Sequence, residues 1–418
     1  MKRIVLFGAG IGAEIIRGCL TDDVEIVGYL DNMSVESVHP KDQKPINRPQ
    51  NYNRFQFDYI VIASLRYQAI YKQLINLRIA EERILSFFDL EHMHFVEYSD
   101  IFNYERSILA SYIQNMDVKL KKIQCIMENR LRNLEFEVTD KLSQKDYQFP
   151  IIREGEDVID KIISEHKSLT RLGDGEFEII MGRERPKFQI PDGELGERLR
   201  EILRTKDSGI LVGIAANYGC LERFEEKCAD DIRSYLTPQV RAEHYELLDM
   251  KKEYFDAYVT RPYILLKDKA HAGERFERLK KLWENRDVVI VEGFGTRMGY
   301  GNDLFANALK IERILCPNEN AWSRYHEIRE AVQRVDMQKL ILISLGPTAT
   351  VLAYDLYKAG YQAIDIGHID NEYEWFLRRA TTREDIPYKY VNEYDGGNRV
   401  EEISSKWYQE QIIQIINT

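Results

Sequence analysis

Asp174 and Glu176 stand two apart around a glycine in Arg171-Leu172-Gly173-Asp174-Gly175-Glu176, directly after a short apolar run. In extended backbone, residues so spaced point the same way. Two hard oxygen ligands converging at a strand end suit Mg2+ or Mn2+ and leave coordination positions for diphosphate oxygens and water. Acidic pairs are common in solvated turns, so the pattern draws its weight from its neighbours. Arg171 supplies a phosphate-compatible cation, and the glycines give room for close backbone approach.

Three more clusters follow apolar runs. In Val291-Glu292-Gly293-Phe294-Gly295-Thr296-Arg297-Met298-Gly299-Tyr300-Gly301-Asn302-Asp303 four glycines fall within nine residues. Such a loop can wrap an anion, with Arg297 on phosphate and Asn302 or Asp303 capping the next helix. Ser344-Leu345-Gly346-Pro347-Thr348-Ala349-Thr350 runs from a strand into a helix whose free amides make an anion site, a well-capped helix without ligand being the alternative. Asp365-Ile366-Gly367-His368-Ile369-Asp370-Asn371-Glu372-Tyr373-Glu374-Trp375 gathers acids around one histidine, which suggests a reaction centre. A capping box around Asp370 with solvated glutamates is the plainer alternative there.

Near the N-terminus, Gly8-Ala9-Gly10-Ile11-Gly12 opens a helical stretch and Asp31 ends the next strand. Glycines at a tight turn and a later acid are what a Rossmann unit uses for a dinucleotide, although the third glycine comes one position early. Gly8, Gly10, Gly12 and Asp31 are thus candidates for nucleotide contact, against a scaffold that binds nothing.

The elements beneath these clusters are legible in part. Strands are expected at Ile4–Phe7, Glu25–Leu30, Tyr59–Ala63 and Ile84–Phe88, helices at Ala13–Leu20 and Gln68–Leu77, and a loop at Ser34–Asn53. From Ile101 to Leu142 no Gly or Pro occurs, and apolar residues recur in steps of three and four. That spacing predicts one long helix, whose stripe needs cover from its own domains or from a second copy of the chain. Beyond Pro150, strands are expected at Leu169–Leu172, Ile210–Ile214, Val288–Val291, Leu340–Ser344 and Ala363–Ile366. The fold class is therefore α/β, two Rossmann-like parallel-sheet domains joined by a long helical segment. The divisions fall at 1–98, 99–149 (linker and possible dimerisation element) and 150–418.

Composition narrows the functions. With 418 residues, 44% hydrophobic and 30% charged, the chain is neither disordered nor fibrous. Its net charge of −11 is spread along the chain, so neither nucleic acid nor an anionic lipid surface is an expected partner. The apolar runs are far shorter than the roughly 18 residues of a membrane span, and the first strand lacks the features of a signal peptide. A cytoplasmic protein is expected. Five cysteines without a CxxC pair read as buried free thiols rather than a zinc site or disulfide framework.

Residues about 150 to 398 resemble the GT-D-fold glycosyltransferase family, long catalogued only as a bacterial domain of unknown function. The marks are Arg171–Glu176, Gly301-Asn-Asp-Leu-Phe305, Cys316-Pro-x-x-Asn320-Ala321, Leu345–Thr350 with Ala353-Tyr-Asp-Leu356, and Ile366-Gly-His-Ile-Asp370 with Glu372-Tyr-Glu-Trp375. Tyr300 departs from the small apolar residue usual in that loop. The first ninety residues are similar to the small N-terminal Rossmann unit of bacterial sugar-modifying enzymes, sugar acyltransferases among them, on Gly8-Ala-Gly10 and Gly28-Tyr-Leu-Asp31.

The resemblance implies a metal-dependent transferase moving a sugar from a nucleotide donor, usually UDP-linked, to a glycan on a surface glycoprotein or polysaccharide. Asp174 and Glu176 would then hold Mn2+ or Mg2+ against the diphosphate. Arg171, Gly173, Glu292, Arg297, Gly346, Thr348 and Ala349 would contact the nucleotide-sugar. His368, Glu374 and Asp370 would be catalytic, with Glu374 or Asp370 deprotonating the acceptor if the reaction inverts. The alternatives are a nicotinamide-dependent sugar oxidoreductase or epimerase resting on the N-terminal glycines, and a non-catalytic nucleotide-sugar-binding scaffold.

Overall fold

A computed structural model describes residues 1–33, 37–89, 95–142, 149–183, 189–394, 397–398 and 400–417, without the side chains of 141 and 142. The chain divides into two compact units, Met1–Met127 and Glu128–Thr418. The division falls inside the long helix, which contributes residues to both units.

In the first unit, β1 (Lys2–Phe7), α1 (Ile11–Cys19), β2 (Val24–Leu30), β3 (Ser37–Val38), β4 (Pro45–Asn47), β5 (Tyr59–Ile62), α2 (Tyr67–Asn76) and β6 (Ile84–Ser86) precede α3 (Tyr104–Leu142). The sheet order is β3-β4-β2-β1-β5-β6, parallel except for the β3–β4 pair. Successive residues of β1 feed opposite cores, Ile4 and Leu6 on one face and Val5 and Phe7 on the other. Burial on both faces explains why this strand reads as a continuous apolar run. The expected loop after Ser34 holds β3 and β4, short polar strands whose sequence carries no alternation. Residues 34–36 of that loop lie outside the described residues.

The second unit continues with β7 (Ile151–Arg153), α4 (Gly155–Glu165), β8 (Ser168–Leu172), α5 (Asp174–Ile180), α6 (Gly193–Arg204), β9 (Ile210–Ile214), α7 (Glu226–Tyr235), α8 (Pro238–Leu247) and β10 (Glu253–Asp256). It ends with α9 (Ala272–Lys280), β11 (Asp287–Gly293), β12 (Lys310–Cys316), α10 (Tyr325–Gln333), β13 (Leu340–Ser344), α11 (Pro347–Lys358), β14 (Ala363–Asp365), α12 (Ile369–Leu377), α13 (Lys406–Gln409) and β15 (Ile412–Ile415). The strands form one parallel sheet in the order β15-β12-β11-β13-β14-β8-β9-β10-β7. Alternate residues of β11 and β13 enter separate cores on its two faces.

From β8 the chain steps outward through β9 and β10, then crosses to β11 and returns through β13 to β14, which lies against β8. The order therefore reverses between β8 and β14. The loops leaving their carboxyl ends part there, and a crevice opens. Among the described residues no helix is long and apolar enough to cross a membrane.

Candidate active site

A cavity of about 820 Å³ occupies that crevice, lined by loops following β8, β9, β11, β13 and β14. All four clusters read in the second unit bring residues here, three of them with expected site residues: Arg171, Gly173, Asp174 and Glu176; Gly346; His368 and Asp370. The glycine-rich loop contributes Gly293, Thr296 and Met298.

The acidic pair is built differently from the expected extended arrangement. Asp174 and Glu176 lie in the first turn of α5, where residues two apart diverge around the helix. Glu176 closes a capping box, its Oε2 accepting from the Gly173 N–H at 2.7 Å. Asp174 is exposed on the same turn. Burial, with the charges of Asp174 and Asp365 nearby, pushes the Glu176 carboxyl up to about 7 against the Gly173 hydrogen bond.

Arg171 lines the cavity, but its donors are engaged. Nη2 bonds Asp365 Oδ1 at 2.6 Å, Nε bonds the Asp365 carbonyl at 2.9 Å, and Nη1 bonds the Ala257 carbonyl at 3.3 Å. Gly367, at φ +46°, makes room for this guanidinium, since a Cβ there would fall 2.0 Å from Nη2.

Several residues expected on ligand serve the scaffold. Glu292 and Arg313 form a pair that solvent does not reach, 2.5 Å apart, and Glu292 also accepts from the Met298 N–H. Arg297 sits at φ +49° and donates to the carbonyls of Tyr388 and Glu401, away from the cavity lining. Thr348 and Ala349 are buried within α11, where the Ala349 N–H donates to the Gly346 carbonyl at 2.9 Å. Neither reaches the cavity wall. No helix begins after Asn302 or Asp303: Asn302 caps a turn at Leu304, and Asp303 accepts from Tyr373.

The acids of the last cluster are also held by partners within the chain. Glu374 Oε1 accepts from Asn302 at 2.8 Å and Lys389 at 2.9 Å, and it does not line the cavity. Asp370 accepts from the Gly299 N–H, Asn302 and Lys389, at 2.8, 2.9 and 2.7 Å. Through these bonds the two carboxylates pin the glycine-rich loop to α12.

His368 remains in the cavity beside a cluster that no motif announced. Its Nε2 stands 3.8 Å from Glu393 Oε1. Glu393 pairs with Arg261 and, at 3.0 Å, with Arg383. Burial works to raise the Glu393 carboxyl, but Arg261, His368 and Arg383 hold it well below the usual carboxylate range. Burial drops the His368 imidazole to about 4, so it is uncharged near neutrality. Arg261 also stands 3.8 Å from the buried Glu372 Oε1, so two guanidiniums and two carboxyls gather here, with Arg261 and Arg383 both on the cavity lining. Only a relation between three distant sequence positions could have revealed it.

The cavity lining also includes Tyr218, Tyr235 and His244. His244 Nδ1 lies 2.8 Å from the Tyr218 hydroxyl and Nε2 3.2 Å from that of Tyr235, which also reaches the Asp174 carbonyl at 3.3 Å.

The N-terminal candidates belong to the first unit and serve its fold. Gly12 packs so closely that a Cβ would lie 2.1 Å from the Ala63 carbonyl oxygen. Gly8 takes φ +108°, and the Gly10 carbonyl accepts from the Ala13 N–H at the start of α1. Asp31 accepts from the Ala9 and Met33 amides at 3.4 and 2.8 Å. All five cysteines are free thiols, and Cys125 is exposed rather than buried.

An open parallel sheet with a charged crevice at its switch point defines a Rossmann-like α/β enzyme domain. Residues 169–394 match the family described as Glycosyltransferase GT-D fold, and the chain belongs to that family. Residues 1–85 match the family C2185-like, N-terminal.

The glycosyltransferase GlyD of Streptococcus pneumoniae serotype 4 (strain ATCC BAA-334 / TIGR4) is 36% identical over 299 residues, covering 69% of this chain and 36% of that protein. The probable glycosyl transferase Gly of Streptococcus gordonii is 38% identical over 256 residues, covering 61% of this chain and 37% of that protein. The chain thus spans little more than a third of the length of these curated relatives.

A solved structure described as "The highly conserved domain of unknown function 1792 has a distinct glycosyltransferase fold" matches with TM-score 0.60 and 37% identity, over 64% of this chain and 96% of that one. Another, "A New Glycosyltransferase (DUF1792) from Streptococcus sanguinis", matches with TM-score 0.61 and 35% identity, over 64% and 100%.

Proposed function

We propose that the chain transfers a sugar from a nucleotide-diphosphate donor, UDP-linked, to a hydroxyl of a glycan being built on a surface glycoprotein or polysaccharide, with Mn2+ or Mg2+ bound at Asp174 and Glu176. The observation that carries this reading is the division of one crevice between an acidic turn, Asp174 and Glu176, and the Arg261–Arg383–Glu393 wall. A departing diphosphate needs both a cation and fixed positive charge.

The acidic turn suits a divalent ion that arrives with its substrate. Among the described residues no three His, Cys, Asp or Glu side chains cluster closely enough to hold a metal alone. Mg2+ in particular is commonly held by one or two carboxylates completed by substrate phosphates and water. Glu176, held near 7 by burial and by the acids beside it, releases its proton when positive charge settles next to it. Asp174 and Glu176 would hold the ion, and its charge would offset that developing on the leaving diphosphate.

The remaining work falls to side chains. Arg261 and Arg383 face the diphosphate, while Tyr235 and His244 fix the start of α5. Uncharged His368 accepts the acceptor's hydroxyl proton, and Glu393 steadies the imidazolium that results. This assignment gives the base role to His368, which lines the cavity, in place of Asp370 and Glu374, both of which are held by Lys389.

Turnover of UDP-sugars with Mn2+ tests the proposal. Asp174→Ala and Glu176→Ala should stay folded and lose metal-dependent donor turnover. Undiminished activity in both would end it.

A further inference from the structure

The long helix α3 carries an apolar stripe that faces solvent. Tyr112, Met116, Ile123, Met127, Leu134 and Val138 are each between 43% and 60% exposed, and Leu120 and Leu131 complete the row. Steps of four, four, three, four, four, three and four residues approach an 11-residue repeat, which keeps a stripe on one face of a nearly straight helix. At 1.5 Å per residue the row from Tyr112 to Val138 is about 39 Å long. On the other side of the helix, Ser107, Ser111, Asn133 and Phe136 are buried. The helix therefore has a face in use and a second, apolar face left open. A continuous apolar surface of this length marks an interaction site.

We infer that this face pairs with the same face of a second copy of the chain, the two helices running antiparallel about residue 125. The row is nearly palindromic. Tyr112 and Val138, Met116 and Leu134, and Ile123 and Met127 each lie equally far from position 125, so an antiparallel copy sets each beside its counterpart.

The flanking charges agree. Asp117–Lys121 and Glu128–Arg132 are ion pairs one turn long, at 2.7 and 3.8 Å, along the same edge of the row. Antiparallel packing brings Asp117 beside the second copy's Arg132, and Lys121 beside its Glu128. Four charges then alternate in sign at each end of the contact. A membrane surface suits the face less well. Between 104 and 142 seven basic residues meet six acidic ones, without the cationic excess of helices that lie on anionic lipid.

Sedimentation equilibrium of the full chain reads the pairing independently of any catalytic assignment. The chain should be dimeric, and Ile123→Glu with Met127→Glu should make it monomeric with unchanged circular dichroism and melting, since both side chains are exposed. Lys121→Glu and Glu128→Lys should each weaken the dimer about tenfold, because symmetry counts every contact twice. The double variant should return to within about threefold of the original.

A chain that stays monomeric to about 100 µM overturns the inference. So does a dimer indifferent to the Ile123 and Met127 changes, or one that the double charge reversal fails to restore. Monomers that pellet with phosphatidylserine vesicles, and cease to do so on Ile123→Glu, overturn it in favour of lipid.

Discussion

Arg171 and Asp365 join the two strands at which the sheet reverses. Strands β8 and β14 share a single register pair, Leu169 with Ile364, so their carboxyl ends depend on the guanidinium held at 2.6 Å by the Asp365 carboxylate. Burial raises that carboxyl and Arg171 works against the rise. Removing the cation strands a buried acid. Arg171→Ala should cost about 3–5 kcal/mol in urea denaturation, and Arg171→Lys should recover only part, since one ammonium cannot reproduce three directed bonds. Gly367→Ala should move stability the same way, because its methyl would occupy the place of Nη2.

Lys389 offers a test that separates scaffold from chemistry. It is 2% exposed and bridges Asp370 and Glu374. If Glu374 were the acceptor's base, Glu374→Gln would abolish turnover and leave the melting temperature alone. The hydrogen bonds predict the reverse: a clear drop in melting temperature, with turnover within about tenfold at a permissive temperature. Lys389→Met, which leaves two buried carboxylates facing each other, should be the more damaging change, again by about 3–5 kcal/mol.

The regions legible in the sequence are those where one residue type has one physical use. Runs such as Leu340–Ser344 and Ile210–Ile214 are apolar because both faces are buried, and the structure has strands there. Strand β12 hid because Lys310, Glu312 and Arg313 interrupt its run, with Arg313 buried only by virtue of Glu292. The edge strands β7 and β15, and β10 beside β7, are too short to show a period.

The crevice itself was foreseeable from loops that follow strands, but the use of each charged residue was not. A motif records that Glu374 and Arg297 are present, while their partners Lys389 and the Tyr388 carbonyl arrive from another part of the chain. The Arg261–Glu393–Arg383 wall has no local signature for the same reason.

His244 holds the start of α5 through two tyrosines. Tyr235 donates to the Glu178 carboxylate or the Asp174 carbonyl, each at 3.3 Å. It therefore accepts from Nε2–H, and Nδ1 accepts from Tyr218. Phe177 stacks on the ring at 3.9 Å between centroids. His244→Phe keeps the stack and leaves both hydroxyls wanting, so a loss of about 1–3 kcal/mol is expected. Donor KM should rise more than kcat falls, since Asp174 loses its brace, as steady-state kinetics would register.

The pH dependence of stability sets two histidines against two glutamates. Burial lowers His244 and His368 to about 4, so the unfolded chain binds more protons than the folded one between about pH 4 and 6.5. That contribution is present above 6.5 and is lost as pH falls. Burial raises Glu176 and Glu372 to about 7, so across roughly pH 4.5 to 7 the folded chain binds more protons, and stability is lost as pH rises. Each group contributes a slope of up to about 1.4 kcal/mol per pH unit inside its window, with opposite signs for the two pairs. Urea denaturation of the metal-free chain should therefore be nearly flat between pH 5 and 6.5. Glu176→Gln removes one opposing slope, so stability should then climb with pH across that interval. His244→Phe removes a histidine instead, and stability should decline with pH. If both variants tilt the profile in the same direction, the assignment of charge in this crevice is wrong.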